Sequence, residues 1–321
     1  MRPTGKLHLG HLLGALHNWV ALQARYDCFY FVADWHALTS EYADTRELTG
    51  YALDNVADWI AAGLDPERST FFVQSLVPEH AELHLLLSMV TPVPWLERVP
   101  TYKEQQEQLS EKDLSTYGFL GYPLLQTADI IIYNAQFVPV GEDQVPHLEL
   151  SREVVRRFHN IYGEVFAEPQ PLLTHFPRLP GLDNRKMSKS YGNAINLTDD
   201  AETVKKKVMQ MYTDPKRVRA DVPGTVEGNP VFVYHDAFNP DVAEVEDLKA
   251  RYRLGKVGDV EVKQKLAKAM NAALEPLRER RAAVGARPGY VRDVLFEGSA
   301  KARLVATETM ARVRDAVHLK Y

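Results

Sequence analysis

The chain has 321 residues, a hydrophobic fraction of 45% and a charged fraction of 25%, ordinary values for a globular protein that buries a sizeable core. No apolar run approaches the roughly 20 residues that a membrane-spanning helix needs, and the single cysteine, Cys28, excludes a disulfide framework and a cysteine-based metal cluster. We therefore expect a cytoplasmic protein without a membrane partner.

The net charge of −5 does not by itself suggest a nucleic-acid partner, but the charge is unevenly distributed. Residues 1–183 are acidic on balance, and residues 184–321 are basic on balance. This asymmetry indicates that the C-terminal part meets a polyanion, although solvated basic helix faces would produce the same pattern.

Short apolar runs alternate with helical stretches through the first part of the chain. In chain order, the sequence predicts a loop at 2–7, a helix at 12–25, a strand at 28–33, a helix at 46–62, and strands at 70–73, 136–140 and 172–176. Short, continuously apolar strands that alternate with helices are typical of a parallel, doubly wound sheet.

The last third of the chain contains predicted helices only. Thr198-Asp199-Asp200 resembles a helix N-cap, and the predicted helices lie at 201–212, 242–253, 260–284 and 288–317. We therefore predict the α/β fold class, with a Rossmann-like, doubly wound parallel sheet in a catalytic domain over residues 1–196. An all-helical domain over residues 197–321 follows it.

The start of the chain is unusual for such a sheet. In a doubly wound sheet, a strand normally precedes the loop before the first helix, whereas here the loop begins at Arg2. We therefore expect Met1 to be an internal methionine of a longer native protein.

Polar residues follow three of the predicted strands. Asp34 and His36 follow the first, Gln74 and Ser75 the second, and 141–144 (Gly-Glu-Asp-Gln) the third. Because ligands bind at the carboxyl ends of the strands in open parallel sheets, this edge is the expected binding site.

Two histidines at the start of the first helix form the first chemical motif. His8 and His11 are three residues apart and therefore lie on one face of the first turn. Gly10 between them has no side chain, so that a flat adenine ring can lie against the backbone. Imidazoles at a helix N-terminus can donate hydrogen bonds to phosphate oxygens as charge develops. The alternative is a pair of surface histidines.

The second motif is the run Lys186-Met187-Ser188-Lys189-Ser190. Lys186 and Lys189 can neutralise the β- and γ-phosphates of ATP, and the serine hydroxyls can add hydrogen bonds. Gly181 and Gly192 bracket the run, as suits a segment that moves. An exposed basic loop is the alternative, but the two motifs together indicate a site that activates a carboxylate with ATP.

The two motifs resemble the HIGH and KMSKS signatures of the class I aminoacyl-tRNA synthetases, and the chain is most similar to the bacterial tryptophanyl-tRNA synthetase family. The other segments that carry the resemblance are Pro3-Thr4-Gly5, Ala33-Asp34-Trp35-His36-Ala37, Tyr122-Pro123, Ala128-Asp129-Ile130, Val138-Pro139-Val140-Gly141-Glu142-Asp143-Gln144 and His147-Leu148-Glu149-Leu150. The resemblance covers nearly the whole chain and lacks the family's first strand.

The resemblance implies that tryptophan and ATP form tryptophanyl-adenylate and pyrophosphate, and that the aminoacyl group then passes to tRNA(Trp). His8, His11, Lys186 and Lys189 are the implied catalytic residues. The implied ATP contacts are Thr4, Gly5, Gly10, His11, Gly141, Asp143, Gln144, Lys186, Met187, Ser188 and Lys189. The implied tryptophan contacts are His36, Tyr122, Asp129 and Gln144. Mg²⁺ is expected on the ATP phosphates, with no resident metal site in the protein.

The family resemblance further implies a homodimer formed through an insertion at about 95–125, and anticodon binding by residues 197–321. The basic clusters at 205–207 and 216–219 are candidates for phosphate contacts, or plain solvated side chains.

Several alternatives remain at this point. Asp129 is expected to accept the indole N–H, which can only donate, but it could instead cap a neighbouring helix or strand. A tyrosyl-tRNA synthetase is the nearest alternative substrate assignment. A smaller nucleotidyltransferase, and a synthetase-like paralogue impaired by the missing first strand or acting as a binding module, are the alternatives from other classes.

Overall fold

The computed structural model describes residues 1–108, 113–173, 179–187, 191–217 and 219–321. The strands are β1 (Cys28–Val32), β2 (Ser69–Val73), β3 (Phe137–Val140) and β4 (Gln170–Leu173). The α-helices are α1 (Leu9–His11), α2 (His17–Leu22), α3 (Asp34–Glu41), α4 (Leu48–Ala62), α5 (Glu79–Ser88), α6 (Val93–Glu97), α7 (Pro100–Gln108), α8 (Tyr117–Ile131), α9 (Val145–Tyr162), α10 (Ala201–Met209), α11 (Pro230–Phe238), α12 (Val242–Arg253), α13 (Asp259–Gly285) and α14 (Tyr290–Ala316).

The predicted α/β class is confirmed, because the four strands alternate with helices and pair in parallel. β1 pairs with β2, and β3 pairs with β4. The predicted strand at 172–176 begins two residues earlier, at Gln170, while positions 174–176 lie outside the described residues. No described helix combines the length and apolar character that crossing a bilayer requires.

The first predicted helix, at 12–25, is not one regular helix. It begins earlier, with α1, passes through a π-helical turn at Leu12–Leu16, and ends as α2 at Leu22. Because a π-helical turn is wider than an α-helical one, it rotates the side chains before it relative to those after it. The apolar spacing of the sequence does not reveal this turn.

The two strand pairs are separated by a cavity of about 460 Å³, which lies between β1 and the segment from Asp129 to Pro139. Met1 lies at its edge and pairs with β1: its ammonium group donates to the Phe31 carbonyl oxygen, and its own carbonyl oxygen accepts the Ala33 N–H at 2.9 Å. This alternation is the parallel ladder pattern. Burial lowers the pKa of the Met1 ammonium to about 5. At the edge of the cavity, the backbone at Met1 therefore runs parallel to β1.

The C-terminal helices pack directly onto the α/β layer. α14 crosses β2 so closely that a Cβ atom on Gly298 would lie 1.8 Å from the Phe71 carbonyl oxygen. The adjacent Ser299 hydroxyl accepts the outward-facing Val73 N–H at 3.1 Å, so that a backbone donor on the edge of β2 is satisfied by a helix. Asp200 caps α10 by accepting the Thr203 N–H at 2.7 Å, as its sequence pattern predicts.

Candidate active site

The two histidines of the motif cap the N-terminus of the helix on which they lie. The Nδ1 atom of His8 accepts the Gly10 N–H, and the Nδ1 atom of His11 accepts the His8 N–H, each at 3.1 Å. The two rings lie 3.9 Å apart between centroids. A neutral imidazole whose Nδ1 accepts carries its proton on Nε2. Both rings are therefore held as Nε2–H donors, the form that can donate to a phosphate oxygen.

The structure brings the two sequence motifs together. The segment after the lysine loop pairs with the segment before α1, through hydrogen bonds from the Leu9 N–H to the Ile195 carbonyl oxygen at 3.0 Å and from the Leu197 N–H to the Leu7 carbonyl oxygen at 2.9 Å. As a result, the Met187 sulfur lies 3.3 Å from the position that a Cβ atom on Gly10 would occupy.

Of the second motif, the structure places Lys186, which is exposed, and Met187, which is half-buried. Ser188, Lys189 and Ser190 lie outside the described residues. The roles assigned to those three positions therefore stay predictions.

A small polar cluster holds the base of the lysine loop. The Asp183 carboxylate accepts hydrogen bonds from the Asn193 side chain at 2.8 Å and from the Arg185 N–H at 3.1 Å. These hydrogen bonds, of which the one from Asn193 has the largest effect, lower the pKa of Asp183 to about 2. The Asn193 amide also donates to the Lys186 carbonyl oxygen at 3.1 Å. A Cβ atom on Gly181 would lie 2.1 Å from the Asn193 amide nitrogen, so a larger residue there would displace the Asn193 side chain from these hydrogen bonds.

At the carboxyl ends of β1 and β2, one glutamine connects two of the predicted pocket residues. The Gln74 side-chain oxygen accepts the His36 N–H at 3.1 Å. Its amide nitrogen donates to both carboxylate oxygens of Asp129, at 2.8 and 2.9 Å. Asp34 ties the same two strand ends together by accepting the Ser75 N–H at 3.0 Å. The predicted convergence of polar side chains is therefore found for the ends of β1 and β2, whereas the segment 141–144 follows β3 in the other strand pair.

Three aromatic rings form the neighbouring wall. The Tyr122 ring lies 5.3 Å from the His36 ring and 5.6 Å from the His147 ring, between centroids. The Thr101 hydroxyl bridges Tyr122 and His147 through hydrogen bonds. Burial, followed by the charge of Arg2, lowers the pKa of His36 to about 3. Burial lowers the pKa of His147 to about 4. Both rings are consequently neutral near pH 7.

The remaining predicted ATP contacts lie on two loops. Thr4 and Gly5 precede the histidine helix, and Gly5 has a φ of +124°, a conformation that favours glycine. Gly141 follows β3, where an added Cβ atom would lie 2.9 Å from the Asp143 carboxylate. The Gln144 side chain donates to Asp143 at 3.0 Å and stands at the start of α9, the helix that carries His147.

Several residues that support this site had no role predicted from the sequence: Gln74, His80, Thr101 and His147. Gln74 was visible as a polar residue at a strand end and His147 as part of the family resemblance. His80 and Thr101 had no local signal, because each reaches the site from a separate helix.

One basic candidate is wrong. Arg217 is buried, with 7% of its surface exposed, and its guanidinium group donates to the Val222 and Val257 carbonyl oxygens and stacks on Tyr252. It holds a loop of the helical part together and is not available to a phosphate. Within the other cluster, Lys207 forms an ion pair with Asp199 at 2.6 Å.

The site combines three features: a helix N-terminus that carries two histidines, the lysine-loop segment packed against it, and polar side chains at the carboxyl ends of parallel strands. This combination defines a nucleotide-binding enzyme of the class I synthetase type. The family described as "tRNA synthetases class I (W and Y)" matches residues 1–275. The chain belongs to this family, and the expectation from its motifs is confirmed.

Several similar relatives agree on the subgroup. The tryptophan–tRNA ligase of Thermotoga maritima is 53% identical, covering 100% of this chain and 98% of that protein. The Treponema pallidum tryptophan–tRNA ligase is 50% identical, covering 99% of this chain and 95% of the relative. Among solved structures, the Campylobacter jejuni tryptophanyl-tRNA synthetase complexed with ADP and tryptophan has a TM-score of 0.88 at 32% identity, covering 99% of this chain and 98% of that one.

Proposed function

We propose that this chain is a tryptophan–tRNA ligase, which activates tryptophan with ATP and transfers it to tRNA(Trp). The observation that carries the choice of amino acid is the buried Asp129 carboxylate, which is held by Gln74 beside His36. A buried carboxylate can accept the indole N–H, and phenylalanine would leave that acceptor position unfilled. The ligase names of the relatives support the same assignment.

In the first step, the carboxylate of tryptophan attacks the α-phosphate of ATP, and pyrophosphate leaves. No protein nucleophile is needed, so the protein contributes positioning and charge stabilisation. The Nε2–H groups of His8 and His11 donate to phosphate oxygens, while Lys186 and Lys189 neutralise the departing phosphates. Mg²⁺ enters as part of the substrate, bound to the ATP phosphates.

The tyrosyl alternative is less well supported. Tyrosine presents a hydroxyl that donates and accepts, so its pocket needs a donor as well as an acceptor near the ring. The donors around Asp129 are already bonded to it. A tyrosyl-tRNA synthetase of Archaeoglobus fulgidus superimposes with a TM-score of 0.67, covering 88% of each chain, below the 0.88 of the tryptophanyl structure.

Amino-acid-dependent ATP–pyrophosphate exchange tests the proposal, with tryptophan, tyrosine and phenylalanine assayed in parallel. We expect exchange with tryptophan alone. Exchange with tyrosine would overturn the choice of amino acid. ATP binding without exchange would favour a synthetase-like paralogue.

We propose that the helical residues 197–321 bind tRNA, with Lys205 and Lys206 as exposed phosphate contacts. The tRNA KM of the Lys205→Ala/Lys206→Ala double variant should rise, and its dependence on salt should weaken. The Lys301→Ala variant, which removes an exposed charge from α14, is the control. Because tRNA and ATP are used in the cytoplasm, we propose that location for the enzyme.

We also propose a homodimer through the face formed by α5 and α8, which includes part of the segment at about 95–125. Leu85, Met89 and Tyr117 are 54%, 70% and 69% exposed on this face. Large exposed side chains on two adjacent helices are typical of subunit interfaces. Sedimentation of the Met89→Arg variant should show monomers, whereas Leu304→Arg, an equally exposed position on α14, should leave the dimer intact.

A further inference from the structure

A buried histidine stands behind the Asp129 carboxylate. His80 comes from α5, and its side chain is fully buried. Its Nδ1 atom lies 2.6 Å from Asp129 Oδ1, and its Nε2 atom lies 2.7 Å from the Tyr133 hydroxyl. Because a carboxylate only accepts, Nδ1 carries the proton toward Asp129.

Counting acceptor positions on Asp129 shows what this contact does. Each carboxylate oxygen can accept about two hydrogen bonds. Oδ1 receives one from Gln74 at 2.8 Å and one from His80 at 2.6 Å, and is therefore filled. Oδ2 receives one from Gln74 at 2.9 Å. Counting donors from the described residues only, the remaining acceptor position of the carboxylate is on Oδ2.

The surroundings of His80 keep its ring in one orientation. The Phe31 and Phe72 rings lie 6.0 and 5.9 Å from it, between centroids, and Phe72 also lies 5.3 Å from the Tyr133 ring. Burial raises the pKa of Tyr133 above its usual value, so its hydroxyl keeps its proton. A protonated hydroxyl can donate to Nε2, which leaves the proton of a neutral His80 ring on Nδ1.

We propose that His80 is a positioning residue for amino-acid selection: by filling Oδ1 of Asp129, it directs the indole N–H of the substrate to Oδ2. This inference rests on the proposed function, in which Asp129 accepts the indole N–H. His80 does not touch the substrate. It acts by fixing the rotation of the carboxylate, as hydrogen-bonded partners behind a binding group commonly do.

Two substitutions at His80 test the roles of its two ring nitrogens separately. The amide nitrogen of asparagine is as many bonds from Cα as Nδ1, so His80→Asn can keep the donor to Asp129. The amide nitrogen of glutamine corresponds to Nε2, so His80→Gln keeps a group at Tyr133 and loses the donor to Oδ1. Both variants, the parent chain and Asp129→Asn are assayed by pyrophosphate exchange. The substrates are tryptophan and an analogue with sulfur in place of the ring N–H.

We expect His80→Asn to stay within about threefold of the parent in KM for tryptophan. His80→Gln should raise that KM about tenfold or more, since hydrogen bonds to charged groups are among the strong ones. Its preference for tryptophan over the sulfur analogue should fall by a similar factor, and the KM for ATP should stay within about twofold. Equal losses in both variants that extend to ATP would show a purely structural role and overturn the proposal, as would an unchanged preference in His80→Gln.

If His80→Gln does not fold, as judged by circular dichroism and thermal melting, Tyr133→Phe carries the test. This variant releases Nε2, and we expect a rise of about threefold in the KM for tryptophan with an unaltered KM for ATP. An unaltered KM for tryptophan would overturn the inference. A parent chain without tryptophan exchange, or an Asp129→Asn variant with parental selectivity, would instead refute the proposed function.

Discussion

Replacing Asp129 by asparagine changes one atom of the site and tests the pocket directly. The carboxylate receives hydrogen bonds from Gln74 at both oxygens and from His80 at Oδ1. An asparagine amide has only one oxygen. If that oxygen faces His80, the amide NH₂ group meets the Gln74 donor and the incoming indole N–H. If the amide is turned round, its NH₂ group meets His80. Either orientation leaves at least one buried donor without an acceptor.

The size of the effect follows from these contacts. A hydrogen bond to a charged group contributes about 1.5–3 kcal/mol, and an unsatisfied buried donor costs about 1–3 kcal/mol. Part of the cost of an unsatisfied donor is present both with and without bound substrate. That part affects the stability of the fold more than the binding of tryptophan. We therefore expect Asp129→Asn to lose about 3 kcal/mol in kcat/KM for tryptophan, or roughly a hundredfold.

Pyrophosphate exchange at varied tryptophan and at varied ATP measures this loss. The KM for ATP should stay within about twofold, because the proposed role of Asp129 is in the amino-acid pocket. Asp58→Asn is the matched control, since Asp58 is also a buried carboxylate, with 1% of its surface exposed, but lies on α4 paired with Arg281. Parental tryptophan kinetics in Asp129→Asn, or an equal loss in Asp58→Asn, would refute the reasoning.

Three further substitutions test the motif contact, the helix packing and one buried charge. Gly10→Ala places a Cβ atom 3.0 Å from the His8 ring, which must shift, so kcat for pyrophosphate exchange should fall about tenfold with little change in melting temperature; a parental kcat would contradict this. Gly298→Ala places a Cβ atom 1.8 Å from the Phe71 carbonyl oxygen, which belongs to a strand and cannot move aside cheaply. Urea unfolding should show a loss of about 3 kcal/mol or more, and an unchanged midpoint would count against the packing described. Burial raises the pKa of Asp58 from 3.8 to about 6, so the folded state binds this proton more tightly than the unfolded chain. The Asp58 contribution to the free energy of unfolding therefore falls by up to about 3 kcal/mol as pH rises from about 4 to 6, and Asp58→Asn should remove that slope in unfolding curves measured across this range.

Much of the fold could be predicted because its signals are local. The apolar runs that became β1 and β2 are continuous and bounded by turn residues, and parallel strands buried on both faces have that composition. Asp200 could be recognised as a cap because capping depends on the next three residues. The π-helical turn at Leu12–Leu16 could not, because its apolar residues are spaced as in an ordinary α-helix.

Charge was a poorer guide than motif. Arg217 was grouped with exposed basic residues because it lies in a basic run, yet its guanidinium group donates to backbone carbonyl oxygens and stacks on Tyr252. A buried arginine is tolerated where several acceptors surround it, and those acceptors come from positions such as Val257, far along the chain. Sequence charge counts therefore predict the overall field of a domain better than the role of one side chain.

The site shows the same division between residues that meet the substrate and residues that hold them. The assignment of Asp129 to the indole N–H rests on the family resemblance of its segment and on the need of that N–H for an acceptor, and it stays a prediction. Gln74 and His80 could not be assigned, because a carboxylate with four acceptor positions gives no indication in sequence of which neighbours will fill them. Yet the two side chains occupy three of those positions. Under the proposed function, discrimination of tryptophan depends on the whole hydrogen-bonded group. A chain that kept Asp129 but lost its two donors would retain the motif while losing much of the selectivity.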